Sequence, residues 1–85
     1  MLYRIFTQRK RMWGVKRICG RFFDAYTVLP AHGVWRGKSE KSVCIEVYAD
    51  KRLEERVNAA AAEIRELNGQ ECVLVQCLSC TSIFV

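Results

Sequence analysis

Between residues 42 and 67 the spacing of apolar residues changes period, and this change constrains the fold more than any other feature of the chain. Val43, Ile45, Val47 and Ala49 recur at every second position, with Ser42, Cys44, Glu46 and Tyr48 between them. Side chains of an extended strand alternate between faces, so Ser42–Ala49 reads as a half-buried strand. Leu53, Val57, Ala60, Ala61, Ile64 and Leu67 then follow at helical spacing, with charged residues on the opposite side. Asp50 is a candidate N-cap for that helix. Gly69, after Asn68, suits the left-handed position that closes one. A helix with one apolar stripe must bury it against another element, and the preceding strand offers the surface.

The remaining elements fall around this pair. Leu2–Thr7 is short, apolar and β-prone, and reads as a first strand. From about Gln8 to Cys19 the chain turns basic, with Met12, Val15, Ile18 and Cys19 on one side of an amphipathic helix. Gly14 interrupts that helix and Gly20 is a natural stop. Phe22–Leu29 reads as a second strand, ended by Pro30, which has no amide proton for a ladder. Residues 30–41 form a loop or a long hairpin connection. Glu71–Leu78 is a further strand, with Val73, Val75 and Cys77 inward, and Ser82-Ile83-Phe84-Val85 reads as a short last one. The order β-α-β-β-α-β is the ferredoxin-like α+β arrangement, an antiparallel sheet with two helices on one face. With 85 residues, a single domain over 1–85 is expected.

Charge is divided unevenly along the chain. Residues 1–38 carry nine Lys and Arg and one acid, Asp24, a net +8, while residues 39–85 sum to −3. A basic half of this kind attracts anions such as nucleic acid, a nucleotide or an acidic protein, unless it is only a solvated helix face. With 51% hydrophobic and 27% charged residues, the composition is that of a globular chain and excludes a disordered one. No apolar run approaches a membrane span. The N-terminal apolar stretch is too short for a secretory signal and carries Arg4 inside it. Five cysteines, an odd number without such a signal, point to a reducing, cytoplasmic setting.

The chemistry-bearing residues concentrate between the second and third strands. His32, Trp35, Arg36 and Lys38 lie there around Gly33 and Gly37. An indole offers a flat face for stacking, Arg a fork and Lys a point charge for phosphate. Arg9 and Arg11 are further candidates for the same anionic ligand. The competing reading is a hairpin tip whose Trp35 packs on the core edge. No phosphate-loop fingerprint is present. His32 has no nucleophile or paired carboxylate at a recognisable spacing, so no active site, catalytic residue or cofactor is expected. Cys77-Leu78-Ser79-Cys80 has metal-ligand or redox spacing. A strand would separate the two thiols, and no helix follows, so the cysteines read as small buried apolar groups rather than a metal site. On the outward face of the sheet, Cys44, Glu46, Tyr48, Leu74, Gln76 and Leu78 are too apolar for open solvent. Tyr48, Leu74 and Leu78 are therefore expected at a homo-oligomer interface, unless the C-terminal segment covers them.

Several short motifs carry a family resemblance. They are Trp13 with Lys16-Arg17-Ile18-Cys19-Gly20, Thr27-Val28-Leu29-Pro30, Gly33-Val34-Trp35, Glu40, and Gln70 ahead of Val73-Leu74-Val75. On these, the chain resembles a family of small uncharacterised proteins from phages, mobile elements and bacterial genomes. The likeness spans most of residues 13–78. It departs from the pattern at Gly14, at Phe22-Phe23 and in its C-terminal cysteines. The resemblance implies a ferredoxin-like fold and a phage or mobile-element origin, and supplies no activity. Together these features lead to one expectation and one alternative. The expectation is a non-enzymatic phage-type accessory protein that binds a nucleotide-like anion as an oligomer and counteracts host defence signalling. The alternative is an inhibitor or regulator that binds a host protein or nucleic acid through the basic N-terminal half.

Overall fold

The computed structural model describes residues 1–49, 51–83 and 85. Its elements are β1 (Leu2–Gln8), α1 (Met12–Phe22), β2 (Thr27–Trp35), β3 (Lys38–Tyr48), α2 (Glu54–Asn68) and β4 (Leu74–Leu78). The four strands form one antiparallel sheet in the order β2-β3-β1-β4. This is the ferredoxin-like α+β fold expected from the element order.

The alternation seen in the sequence decides which face carries the helices. Ile5 lies opposite Ile45 and Val75, and Tyr3 opposite Val47 and Cys77. Tyr3, Ile5, Ile45 and Val47 enter one core cluster with Val15, Ile18 and Cys19 of α1 and Val57, Ala60, Ala61 and Ile64 of α2. Both helices therefore pack on the same side. Gly14 sets how closely they meet: a Cβ there would sit 2.8 Å from Leu67 Cδ2. The first turn of α1 thus rests against the last turn of α2, an approach that a larger residue would push apart.

Several boundaries differ from the sequence reading, each for a physical reason. α1 starts at Met12 rather than near Gln8, because β1 pairing continues: Gln8 pairs with Ser42, and the Arg9 amide donates to the Lys41 carbonyl at 2.9 Å. Gly20 does not stop α1. Its helix-breaking tendency, about 1 kcal/mol, is outweighed by burial of Ile18, Cys19 and Phe23 around it, and the Phe23 amide closes the helix on the Cys19 carbonyl. Phe22 consequently belongs to α1. Pro30 lies inside β2 because β2 is a sheet edge, where one side of the strand needs no donors.

The segment 30–41 is a strand–turn–strand. Arg36 and Gly37 both have positive φ, 51° and 77°, as a two-residue hairpin turn of the primed type requires. α2 ends as expected, with Gly69 left-handed and its amide on the Glu66 carbonyl. Its candidate cap, Asp50, lies outside the described residues. Leu53 stands at the N-cap position instead, and its amide donates to the Tyr3 hydroxyl at 3.0 Å.

β4 starts at Leu74 rather than Glu71. Residues 81–83 and 85 form no strand, and Phe84 lies outside the described residues. The cysteines divide in two. Cys19 and Cys44 are buried; Cys72, Cys77 and Cys80 are exposed, because β4 is a short edge strand and the other two flank it in irregular segments. Burial pushes the Cys19 thiol up to about 11 and raises that of Cys44, so neither is a ready nucleophile. Among the described residues no helix is long and apolar enough to cross a membrane.

Candidate functional site

The β2–β3 hairpin outruns its neighbours. β1 ends at Gln8, opposite Ser42, and β4 reaches only Leu74, opposite Phe6, so the tip around Trp35–Lys38 projects past both. The loop from α2 to β4 occupies the same end of the sheet. Between hairpin and loop lies an open cleft of about 820 Å³. Phe6, Thr7 and Gln8 contribute to its lining from β1, His32–Arg36, Lys38, Glu40 and Ser42 from the hairpin, and Gly69–Leu74 from the loop and the start of β4.

Of the six residues expected to bind an anion, the structure brings four to this cleft: His32, Trp35, Arg36 and Lys38. Trp35 and Lys38 are paired across the hairpin and share a face. Trp35 is 52% exposed, so about half of the indole is open to a ligand. The Arg36 guanidinium sits 5.5 Å from the Trp35 ring centroid. His32 pairs with Lys41, out of phase with Gly33 and Trp35, so imidazole and indole occupy opposite faces of the hairpin. Arg9 and Arg11 are not among the lining residues. Extension of β1 through Gln8 carries them into the turn before α1, where Arg11 takes a left-handed conformation.

Two carboxylates that sequence reasoning did not assign to the site lie among these cations. Arg36 Nη2 and Glu71 Oε2 are 3.7 Å apart, both side chains 73% exposed. Gln8 Nε2 donates to Glu40 Oε2 at 3.1 Å. An exposed ion pair such as Arg36–Glu71 contributes about 0–1 kcal/mol, so a phosphate can displace Glu71 from the guanidinium at small cost. Beneath the cleft the polar groups are locked together. Asn68 Nδ2 donates to Thr7 Oγ1 at 3.4 Å, Thr7 Oγ1 donates to Gln70 Oε1, and Gln70 Nε2 donates to the Cys72 carbonyl at 3.5 Å. Thr7 and Asn68 are 3% and 2% exposed. Asn68 Oδ1 is buried without a hydrogen-bond partner among the described residues. Thr7, Gln8, Gln70 and Glu71 were not legible as site residues, since tertiary folding alone brings them beside the hairpin. Of these, only Gln70 belongs to one of the short sequence motifs.

The helix-free face of the sheet carries the residues expected at an oligomer interface. Leu29, Cys44, Phe6 and Leu74 form one row across all four strands. Tyr48, Leu2 and Leu78 form another. The row between them holds the Arg4–Glu46 ion pair, at 2.8 Å. Leu29, Leu74 and Tyr48 keep 42%, 55% and 37% of their surface exposed, and the tail residues 79–83 are exposed as well.

No protein-family model and no curated protein matches this chain. Among solved structures, a de novo designed protein, Foldit4, is similar at a TM-score of 0.49 and 21% identity, over 88% of this chain and 89% of its own.

Proposed function

We propose that the chain is a non-enzymatic binding module for a small nucleotide-like anion. The observation that supports this is the meeting of an exposed indole, Trp35, with Arg36 and Lys38 at one cleft of about 820 Å³, within the size range of small-molecule sites. Trp35 stacks the ligand's flat ring. Arg36 and Lys38 hold its anionic group, and Glu40 offers a carboxylate for its remaining polar atoms. Glu71 competes with the ligand for Arg36.

Titration calorimetry against a panel of cyclic and linear nucleotides tests this reading. At least one is expected to bind, and Glu71→Gln, which frees the guanidinium, is expected to bind it several-fold more tightly. No heat across the panel for either protein would sink it.

The module works as an oligomer in this proposal, through the sheet face that bears Leu29, Phe6 and Leu74 beside Tyr48 and Leu78. Exposed apolar rows on a small domain favour burial against a second copy. Sedimentation velocity is expected to show an assembly that Leu29→Glu, outside the cleft, converts to monomer; a wild-type monomer at high concentration would refute it. The cytoplasmic setting rests on the five free thiols. The wider setting, a phage accessory protein that withdraws a host defence signal of this chemistry, rests on the short motifs of residues 13–78 alone.

A further inference from the structure

The basic segment that the cleft leaves unused has a surface of its own. Residues 9–21 hold six cations, Arg9, Lys10, Arg11, Lys16, Arg17 and Arg21, and no acid. Among the described residues only Arg21 is ion-paired with a carboxylate, that of Glu63. The other five are exposed. In their midst stands Trp13, 76% exposed, with the Arg17 guanidinium 5.3 Å from its ring centroid.

This indole lies outside the core cluster and outside the residues packed against it. α1 turns Val15, Ile18 and Cys19 into the core, while Trp13, Lys16 and Arg17, three and four residues apart, share the outer side. Gly20, a further turn along, leaves bare backbone with nothing within 4 Å of a Cβ position. A flat, solvent-facing ring beside unpaired cations and an open strip of helix has the chemistry of a single-strand nucleic-acid surface. There bases stack on aromatics and the backbone follows positive charge. A lipid surface fits less well, because the apolar stripe that would insert is already buried in the core.

We infer that the outer face of α1 binds single-stranded nucleic acid without sequence preference. Trp13 stacks a base, and Arg9, Lys10, Arg11, Lys16 and Arg17 neutralise phosphates. This surface shares no residue with the cleft, so it stands or falls separately from the ligand reading.

Fluorescence anisotropy with a labelled oligothymidine of about twenty nucleotides is the test. Each phosphate neutralised contributes about −0.7 to the slope of log K against log salt for a single strand. Five cations thus set a limit near a slope of about −3.5, or about a 100-fold loss between 50 and 200 mM salt. Trp13→Ala is expected to weaken binding about 5- to 100-fold at fixed salt, as loss of one base stack does. The Lys16→Glu/Arg17→Glu double variant is expected to flatten the slope. All three side chains are exposed, and an unchanged circular dichroism spectrum confirms the fold. Trp35→Ala is expected to bind the oligonucleotide as the wild type does. Any of four results would overturn the inference: no wild-type binding at 50 mM salt, an unchanged affinity for Trp13→Ala, a loss confined to Trp35→Ala, or tighter binding to duplex or to phosphatidylserine vesicles than to the single strand.

Discussion

Ile5→Ala is expected to lower the unfolding free energy by about 2–5 kcal/mol. Ile5 is 0% exposed at the middle of β1, flanked in register by Ile45 on one side and Val75 on the other. The helices close the remaining side. β1 is hydrogen-bonded to neighbours on both edges, so the backbone cannot shift inward to fill the space left by the lost methyl groups. The cost therefore includes a cavity contribution as well as the transfer of apolar surface. A domain of 85 residues has a total stability of about 4–13 kcal/mol. The substitution then removes a large part of it, and the chain unfolds at low denaturant. Urea titration measures this as a drop in midpoint at constant slope. A change below about 1 kcal/mol would mean that the core lies elsewhere.

Trp35→Ala is expected to weaken nucleotide binding about 5- to 100-fold, since stacking of a base on an aromatic contributes about 1–3 kcal/mol. The same substitution is expected to leave the urea midpoint within the small range of surface changes, because the indole is half exposed at the hairpin tip. Calorimetry with the best ligand of the panel separates the two outcomes. An affinity that does not change would place the ring outside the complex. A collapse in stability would make Trp35 a packing residue.

How much of this was legible before folding depended on the range of the forces involved. β3 and α2 could be read because their periodicity records which side is buried, and Gly69 because a left-handed residue leaves a local signature. The ends of α1 and β2 could not. Gln8 and Arg9 stay with the sheet through partners at residues 40–42, and Gly20 is kept helical by contacts distant in sequence. Pro30 reads as a terminator until the sheet order places it on an edge. For the site, Trp35, Arg36 and Lys38 were found together because one tight turn holds them. Glu71 and Gln70 arrive from some thirty-five residues away, through the docking of α2, and nothing local announces them. The +8 of the first thirty-eight residues suggested one anion-attracting region. The fold divides it between the hairpin, where Glu71 answers Arg36, and the segment from Arg9 to Arg21, where among the described residues only Arg21 meets a carboxylate.

Pro30 has one more consequence. An edge strand is a row of unpaired amides and carbonyls on which another chain can build. At Pro30 the outer row of β2 lacks a donor, and Arg36-Gly37 curls the far end into a turn. A strand laid alongside β2 would lose a rung in mid-ladder. The opposite edge, β4, is only five residues long. Neither margin suits open-ended sheet growth into fibres, so the fold itself guards against edge-to-edge aggregation.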